Sequence, residues 1–176
     1  IYVIGSISEN KNQLDAIKAL NILSSKFKNI FLTIVGDGNN GYLDLLKRSI
    51  HEFKLEDKVR WLDFHENVSE LYQNADIVLV CSKLETFGRV AAEAMSFGCP
   101  VIASNTGGIP EIINDGINGI LYPVMDYNAL ANSIDKLITD AQLYRNISLQ
   151  SIKTISDKFN KNMYIDNFIK LFDRLS

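Results

Sequence analysis

Six short apolar runs, separated by stretches whose apolar residues fall on one helical face, constrain this chain more than any other feature. Residues 1–5, 30–35, 59–62, 77–80, 101–103 and 120–122 read as strands, mostly apolar throughout rather than alternating. Between them, Ala16, Leu20, Leu23 and Phe27 fall at i, i+4, i+7 and i+11, and Leu43, Leu46, Ile50 and Phe53 mark a second one-sided helix. Short helices are expected at 68–74 and 111–114, and a longer one opens near Gly88. Leu130, Ile134 and Leu137 give one C-terminal helix, and Tyr164, Phe168, Leu171 and Leu175 another. Continuous apolar strands alternating with helices imply a Rossmann-like α/β fold, a parallel sheet buried on both faces by right-handed crossovers.

A sheet of that kind binds ligands outside the carboxyl ends of its strands. Residues 5–11, 36–41, 63–67, 82–88 and 105–108 all lie at such ends, so the loops are expected to converge on one rim. The chain of 176 residues is long enough for one domain with a sizeable core. Its net charge of −3 argues against broad nucleic-acid binding, and no apolar run approaches a membrane span. Cys81 and Cys99 have neither metal-ligand nor redox spacing and read as small core-side thiols in a reducing cytoplasm. Ile1 lies inside an apolar run without an initiating Met, from which we expect no signal peptide and a start cut at a domain edge.

The densest chemistry lies between Asp76 and Ile113. There a polar loop holds Glu85, and a helix opening near Gly88 carries Glu93. A helix start presents unpaired N–H groups and partial positive charge, which suit phosphate, while carboxylates suit sugar hydroxyls. A phosphorylated polyol is the first expectation. Each residue alone has an ordinary reading: Glu93 pairs with Arg89 one turn away, Lys11 is a solvated turn lysine, and Gly36-Asp-Gly38 is a plain strand-to-helix turn. His51 reads as a surface residue in mid-helix, and His65 as a loop residue on the rim.

Taken together, Cys81-Ser-x-x-Glu-x-Phe-Gly-x4-Glu-Ala-Met-x-x-Gly-x-Pro-Val-Ile, then Gly107-Gly-x-Pro-Glu-Ile-Ile and Asp115-Gly-x-Asn-Gly-x-Leu, form a connected pattern. It resembles the C-terminal, donor-binding domain of retaining GT-B glycosyltransferases of the group 1 family, also called family 4. The Val-Gly-Asp-Gly turn and the Leu71-Tyr-Gln-Asn-Ala-Asp76 segment fall in the family's order, so the resemblance covers nearly the whole chain.

The resemblance implies a nucleotide-diphosphate sugar as donor, with Glu85 beside the sugar as the catalytic carboxylate and Glu93 on the ribose. It places the backbone of Thr86, Phe87 and Gly88 near sugar and diphosphate, Val90 near the phosphates, Gly5 and Lys11 in the phosphate-binding first loop, and Gly36, Asp63, Phe64 and His65 around the base. Relatives usually carry Gly-Arg where this chain has Gly5-Ser6. No cofactor or metal is expected. A separate N-terminal acceptor domain, not contained in these residues, is implied, and a full-length protein peripheral to a membrane is compatible with it. A nucleotide or sugar-phosphate sensor and, more remotely, a nucleotide-sugar epimerase are the competing readings.

Overall fold

A computed structural model describes residues 1–38, 40–63 and 68–158. The elements run β1 (Tyr2–Ile4), α1 (Gln13–Ser24), β2 (Leu32–Val35), α2 (Asn40–Glu52), β3 (Val59–Leu62), α3 (Val68–Asn74) and β4 (Val78–Val80). They continue with α4 (Arg89–Ser96), β5 (Val101–Ser104), α5 (Ile109–Ile112), β6 (Ile120–Tyr122), α6 (Tyr127–Thr139) and α7 (Ala141–Lys158). Every strand pairing is parallel and the order is β3-β2-β1-β4-β5-β6, the expected α/β sheet. The strands are three or four residues long: β1, β2 and β4 are shorter than the apolar runs that contain them, β3 and β6 match theirs, and β5 runs one residue further, to Ser104.

The sheet is buried on both faces because successive side chains alternate across it. Val3, Ile34 and Leu79 pack with Ile17 and Leu20 of α1, Leu46 of α2, and Leu130 and Ile134 of α6. Val78, Val80, Val101 and Ala103 meet Tyr72 of α3, Ala91 and Met95 of α4, and Ile109 and Ile112 of α5. Cys81 and Cys99 are free and buried in these layers.

Five sequence readings change, the first being that Phe53 lies one residue past the end of α2. Helix α1 ends at Ser24, so Phe27 lies beyond it and packs on the core from the connecting turn. Helix α5 runs Ile109–Ile112 rather than 111–114: Pro110 fits within the first turn, and Ile113 turns extended to enter the Asn114–Asn118 turn. His51 stands in the last turn of α2, exposed, with Nδ1 2.7 Å from Glu56 Oε1. Helix α7 was not foreseen, because its inward face is partly polar. There Ser148 Oγ donates to Gly98 O at 2.6 Å, Ser151 is buried, and Thr154 Oγ1 accepts from Asn118 Nδ2 at 3.0 Å. The helix expected around Tyr164–Leu175 lies outside the described residues.

Gly5 and Gly36 have φ of +136° and +133°, a region that side chains avoid. Nothing lies near a Cβ added at Gly5, whereas one at Gly36 would overlap the Gly5 carbonyl oxygen. The loops leaving β1 and β2 therefore touch backbone to backbone, and Gly36 N–H also donates to Leu62 O at 3.0 Å. Gly5→Ala is expected to carry conformational strain alone, about 1–3 kcal/mol, and Gly36→Ala to lose measurably more through displaced backbone. Urea midpoints of the two variants test this; equal losses would sink the packing account.

Candidate functional site

Strand β1 lies between β2 and β4, so the chain leaves it toward one side of the sheet and later returns on the other. The crevice between the loops after β1 and β4 is the switch point of the order. Asn10 joins those loops. Its carbonyl accepts Lys83 N–H at 2.7 Å, its Oδ1 accepts Leu84 N–H at 3.2 Å, and its Nδ2 donates to Leu84 O at 3.0 Å. An amide can do this because it carries both a donor and an acceptor.

The residues next in sequence then meet. Lys11 Nζ donates to Glu85 Oε2 at 2.5 Å, and the buried Ser82 donates its hydroxyl to the same oxygen at 3.1 Å. Glu85 is 14% exposed and Lys11 28%, so this is a half-sheltered pair rather than a surface one. Burial alone would raise the Glu85 carboxyl. The Lys11 hydrogen bond and charge, with Ser82 and the Gly88 N–H, outweigh it and hold the group below the ordinary carboxylate range.

Two further glycines back this loop. A Cβ at Gly107 would overlap the Glu85 carbonyl oxygen and one at Gly108 the Thr86 carbonyl oxygen, while Gly108 N–H donates to Glu85 O at 2.9 Å. Thr106 Oγ1 donates to Lys83 O at 3.1 Å, and Ser104 Oγ to Ser82 O at 2.6 Å. The doubled glycine, which reads in the sequence as turn chemistry, is the seat on which the Glu85 loop rests.

Gly88 is buried, adopts φ +90° and caps α4 without any side-chain hydrogen bond. The first-turn N–H groups of an α-helix have no intrahelical acceptor, and here they begin directly after the Glu85 loop. One turn on, Glu93 Oε2 accepts from Tyr72 Oη at 2.7 Å, and Arg89 Nε stands 3.4 Å from Oε1. The Arg89 contact expected from the i,i+4 spacing is thus present but long, and the shorter bond comes from Tyr72. Burial, then the Glu93 carboxylate, push the Tyr72 hydroxyl up, so it stays a neutral donor.

These groups border a cleft of 290 Å³. Gly5, Ser6, Gly36 and Asp37 form one wall, Tyr72, Arg89, Val90 and Glu93 the other, with Ile4 and Leu71 among its apolar lining. A small recess lined by Lys11, Gln13, Ser82 and Val90 adjoins it, sharing Ile4 and Val90. Of the residues expected from the sequence, Gly5, Gly36, Val90 and Glu93 therefore line the cleft, while Lys11 and Glu85 pair beside it. Thr86 and Phe87 are exposed on the loop, Phe87 by 52%. Asp63 is exposed at the end of β3 and does not line the cleft; Phe64 and His65 lie outside the described residues.

Asn10, Ser82, Thr106 and Tyr72 were missed. Asn10, Ser82 and Thr106 carry a positional signal, since each lies in a loop at the carboxyl end of a strand, whereas Tyr72, within α3, reads as a core aromatic until its partner is known. A larger hollow of 760 Å³ lies at the amino end of the sheet, lined by Ile1, Phe27, Phe31, Asp76, Leu137 and Tyr144 among others. It holds none of these groups and sits away from the ends where parallel sheets bind ligands. Among the described residues no three His, Cys, Asp or Glu side chains cluster as a metal site, and no helix is long and apolar enough to cross a membrane.

The fold recurs in known proteins. HepE of Anabaena, solved in complex with UDP and with UDP-glucose, superposes with TM-scores of 0.92 and 0.88 at 29% and 30% identity. Both matches cover 98% of this chain and 48% of HepE. The C-terminal domain of the glycosyl transferase group 1 protein LpcC from Francisella tularensis superposes with a TM-score of 0.84 at 27% identity, covering 91% of this chain and 86% of that one. In sequence, the N-acetyl-alpha-D-glucosaminyl L-malate synthase of Bacillus anthracis is 33% identical over 142 residues, 80% of this chain and 36% of the relative. The chain thus spans between a third and a half of HepE and of the synthase. The family model described as "Glycosyl transferases group 1" matches residues 1–154, which include both walls of the cleft and the Lys11–Glu85 pair, and the chain belongs to that family.

Proposed function

We propose that this chain is the donor-binding half of a retaining, family 4 glycosyltransferase that uses a nucleotide-diphosphate sugar. The observation that carries the reading is the Lys11–Glu85 pair at the switch point, beside a helix start and a cleft bearing Glu93. The relatives bound to UDP and UDP-glucose make a uridine nucleotide the first donor to try. Glu93 accepts from the ribose. Val90 and the first turn of α4 face the diphosphate, with Lys11 as its cation, and Glu85 with the backbone of Thr86, Phe87 and Gly88 holds the sugar. Gly5 and Gly36 allow close backbone approach in the cleft; of the residues expected around the base, Asp63 stands outside the cleft lining, and Phe64 and His65 lie outside the described residues.

In the transfer, the bond from anomeric carbon to phosphate oxygen breaks with its electron pair going to the diphosphate. The acceptor oxygen bonds to the same face of that carbon, and its proton passes to the departing phosphate oxygen. Positive charge from Lys11 and the helix N–H groups stabilises the leaving group as charge builds on it. No metal or organic cofactor enters this scheme. The acceptor would sit on a second, N-terminal domain of a longer, cytoplasmic protein, peripheral to a membrane where its acceptor is membrane-bound. On that reading these residues alone bind donor but do not turn it over.

Lys11 is the weak member of the clamp. It is a point charge already shared with Glu85, position 6 supplies a serine, and the only cation lining the cleft among the described residues is Arg89. Calorimetry with UDP and UDP-glucose, with ADP and GDP counterparts, separates the roles. Glu93→Gln is expected to weaken UDP about tenfold, the loss of roughly 1.4 kcal/mol from a charged hydrogen bond. Glu85→Gln should leave UDP binding equal or tighter, by releasing Lys11, while removing the extra affinity contributed by glucose. Equal effects of Glu85→Gln on UDP and UDP-glucose would favour a nucleotide sensor, and no binding of any of these ligands would end the proposal.

The pair also sets a pH dependence. A carboxyl held low on folding contributes stability that is present above its ordinary pKa and lost as pH falls through its folded value. In Lys11→Met burial is left with its main opponent removed, so the Glu85 carboxyl is expected to move up and its contribution at neutral pH to vanish or reverse. Carbon-detected NMR titration of Glu85, with urea midpoints at pH 7 and pH 4, measures both effects. An unmoved Glu85 titration would show that Lys11 does not hold it.

A further inference from the structure

Tyr72 carries a hydroxyl that its packing does not need. Its ring is 2% exposed, lies in the core between α3 and α4, and stacks on Phe97 with centroids 5.7 Å apart. Phenylalanine would fill that space equally well. A phenol so deeply buried needs a hydrogen-bond partner, and the partner here is one oxygen of Glu93 at 2.7 Å. Both residues line the 290 Å³ cleft.

The bond changes what the carboxylate can do. Glu93 begins with freedom about its side-chain torsions, and its other neighbour, Arg89, is 84% exposed with Nε 3.4 Å away, too long to fix it. Tyr72 pins Oε2 and so sets the plane of the carboxylate, leaving Oε1 and the unused lone pairs as acceptors. Because the donor is neutral, it orients the group without cancelling its charge, as a lysine or arginine in the same place would. Loss of the pin would let Glu93 swing to Arg89 and form a two-pronged ion pair, which removes both oxygens from the cleft.

Resting on the reading of the cleft as a nucleotide site, we propose that Tyr72 is a specificity-determining positioning residue: its hydroxyl holds Glu93 so that the site selects a ribose over a 2′-deoxyribose. A fixed acceptor receives a vicinal diol without first being ordered, and the advantage falls on the ligand that has both hydroxyls. The proposed discrimination is therefore a property of two side chains on different helices, α3 and α4.

The test is Tyr72→Phe, which removes one oxygen atom and keeps the ring. Calorimetry on the full chain would use UDP, ADP and GDP, each beside its 2′-deoxy counterpart. The unaltered protein is expected to prefer the ribose form by about tenfold, the magnitude of one charge-assisted hydrogen bond. In Tyr72→Phe the preference should fall below about threefold, with the deoxy affinity nearly unchanged and the thermal midpoint within a few degrees. Glu93→Gln should collapse the same ratio, and the double variant should not lower it further. Equal weakening of ribose and deoxyribose forms in Tyr72→Phe would assign the hydroxyl a merely structural role and overturn the proposal, as would an unchanged ratio. Absence of binding in the unaltered protein would instead overturn the nucleotide reading itself, and the inference with it.

Discussion

The side-chain amide of Asn10 donates to and accepts from the backbone of Leu84, closing a short ladder between two loops whose next residues are Lys11 and Glu85. Each of these neutral hydrogen bonds contributes on the order of 1 kcal/mol net, so the ladder by itself is marginal. It persists because the loop it joins is held on its other side as well. Ser104 and Thr106 donate to the carbonyls of Ser82 and Lys83, and Gly107 and Gly108 let the backbone of the β5–α5 connection lie directly against Glu85 and Thr86. The Lys11–Glu85 ion pair is therefore the visible end of a backbone arrangement, and its geometry is set by groups outside the cleft lining.

The same logic reaches back into the sheet. Parallel pairing of β1 with both β2 and β4 brings three connecting loops to one end, where their backbones crowd. Crowded backbone leaves no room for Cβ atoms, and the glycines at 36, 38, 107 and 108 stand where it is closest. Gly38 illustrates the point: it faces Ile7 in an isolated parallel bridge, so the Gly-Asp-Gly turn meets protein backbone before it can meet a ligand. Asp37 between the two is the residue of that turn that lines the cleft alongside Gly36.

How much of this could be read in advance depended on whether the signal was local. Continuous apolar runs such as Val78–Val80 announce a strand buried on both faces, and the strand-helix alternation leads to the parallel sheet and its rim without further information. Helix α3 and the start of α4 at Gly88 were legible for the same reason. Helix α7 was not, because hydrophobic periodicity reports only apolar burial, and Ser148 and Thr154 tie that helix to Gly98 and Asn118 through hydrogen bonds instead. Lys11 and Glu85 were legible as separate candidates through the family motifs, but their pairing across 74 positions depends on the order of β1 and β4. Tyr72 sits within the Leu71–Asp76 motif, but its ring alone explains its place in the core, so nothing local singles out its hydroxyl.

The two glutamates show why the unread partners matter. They stand eight positions apart on one loop and helix, yet one carboxylate is held by a cation and the other by a neutral phenol. On the proposed reading, a diphosphate would compete with Glu85 for Lys11, and Glu85 would then become available to a neighbouring hydroxyl group. The Tyr72 hydroxyl is neutral and its ring is buried, so the bond to Glu93 contains no cation for a phosphate to draw away. Environment thus divides two identical side chains into one tied to a cation and one tied to a neutral donor, a division that their shared chemistry alone does not contain.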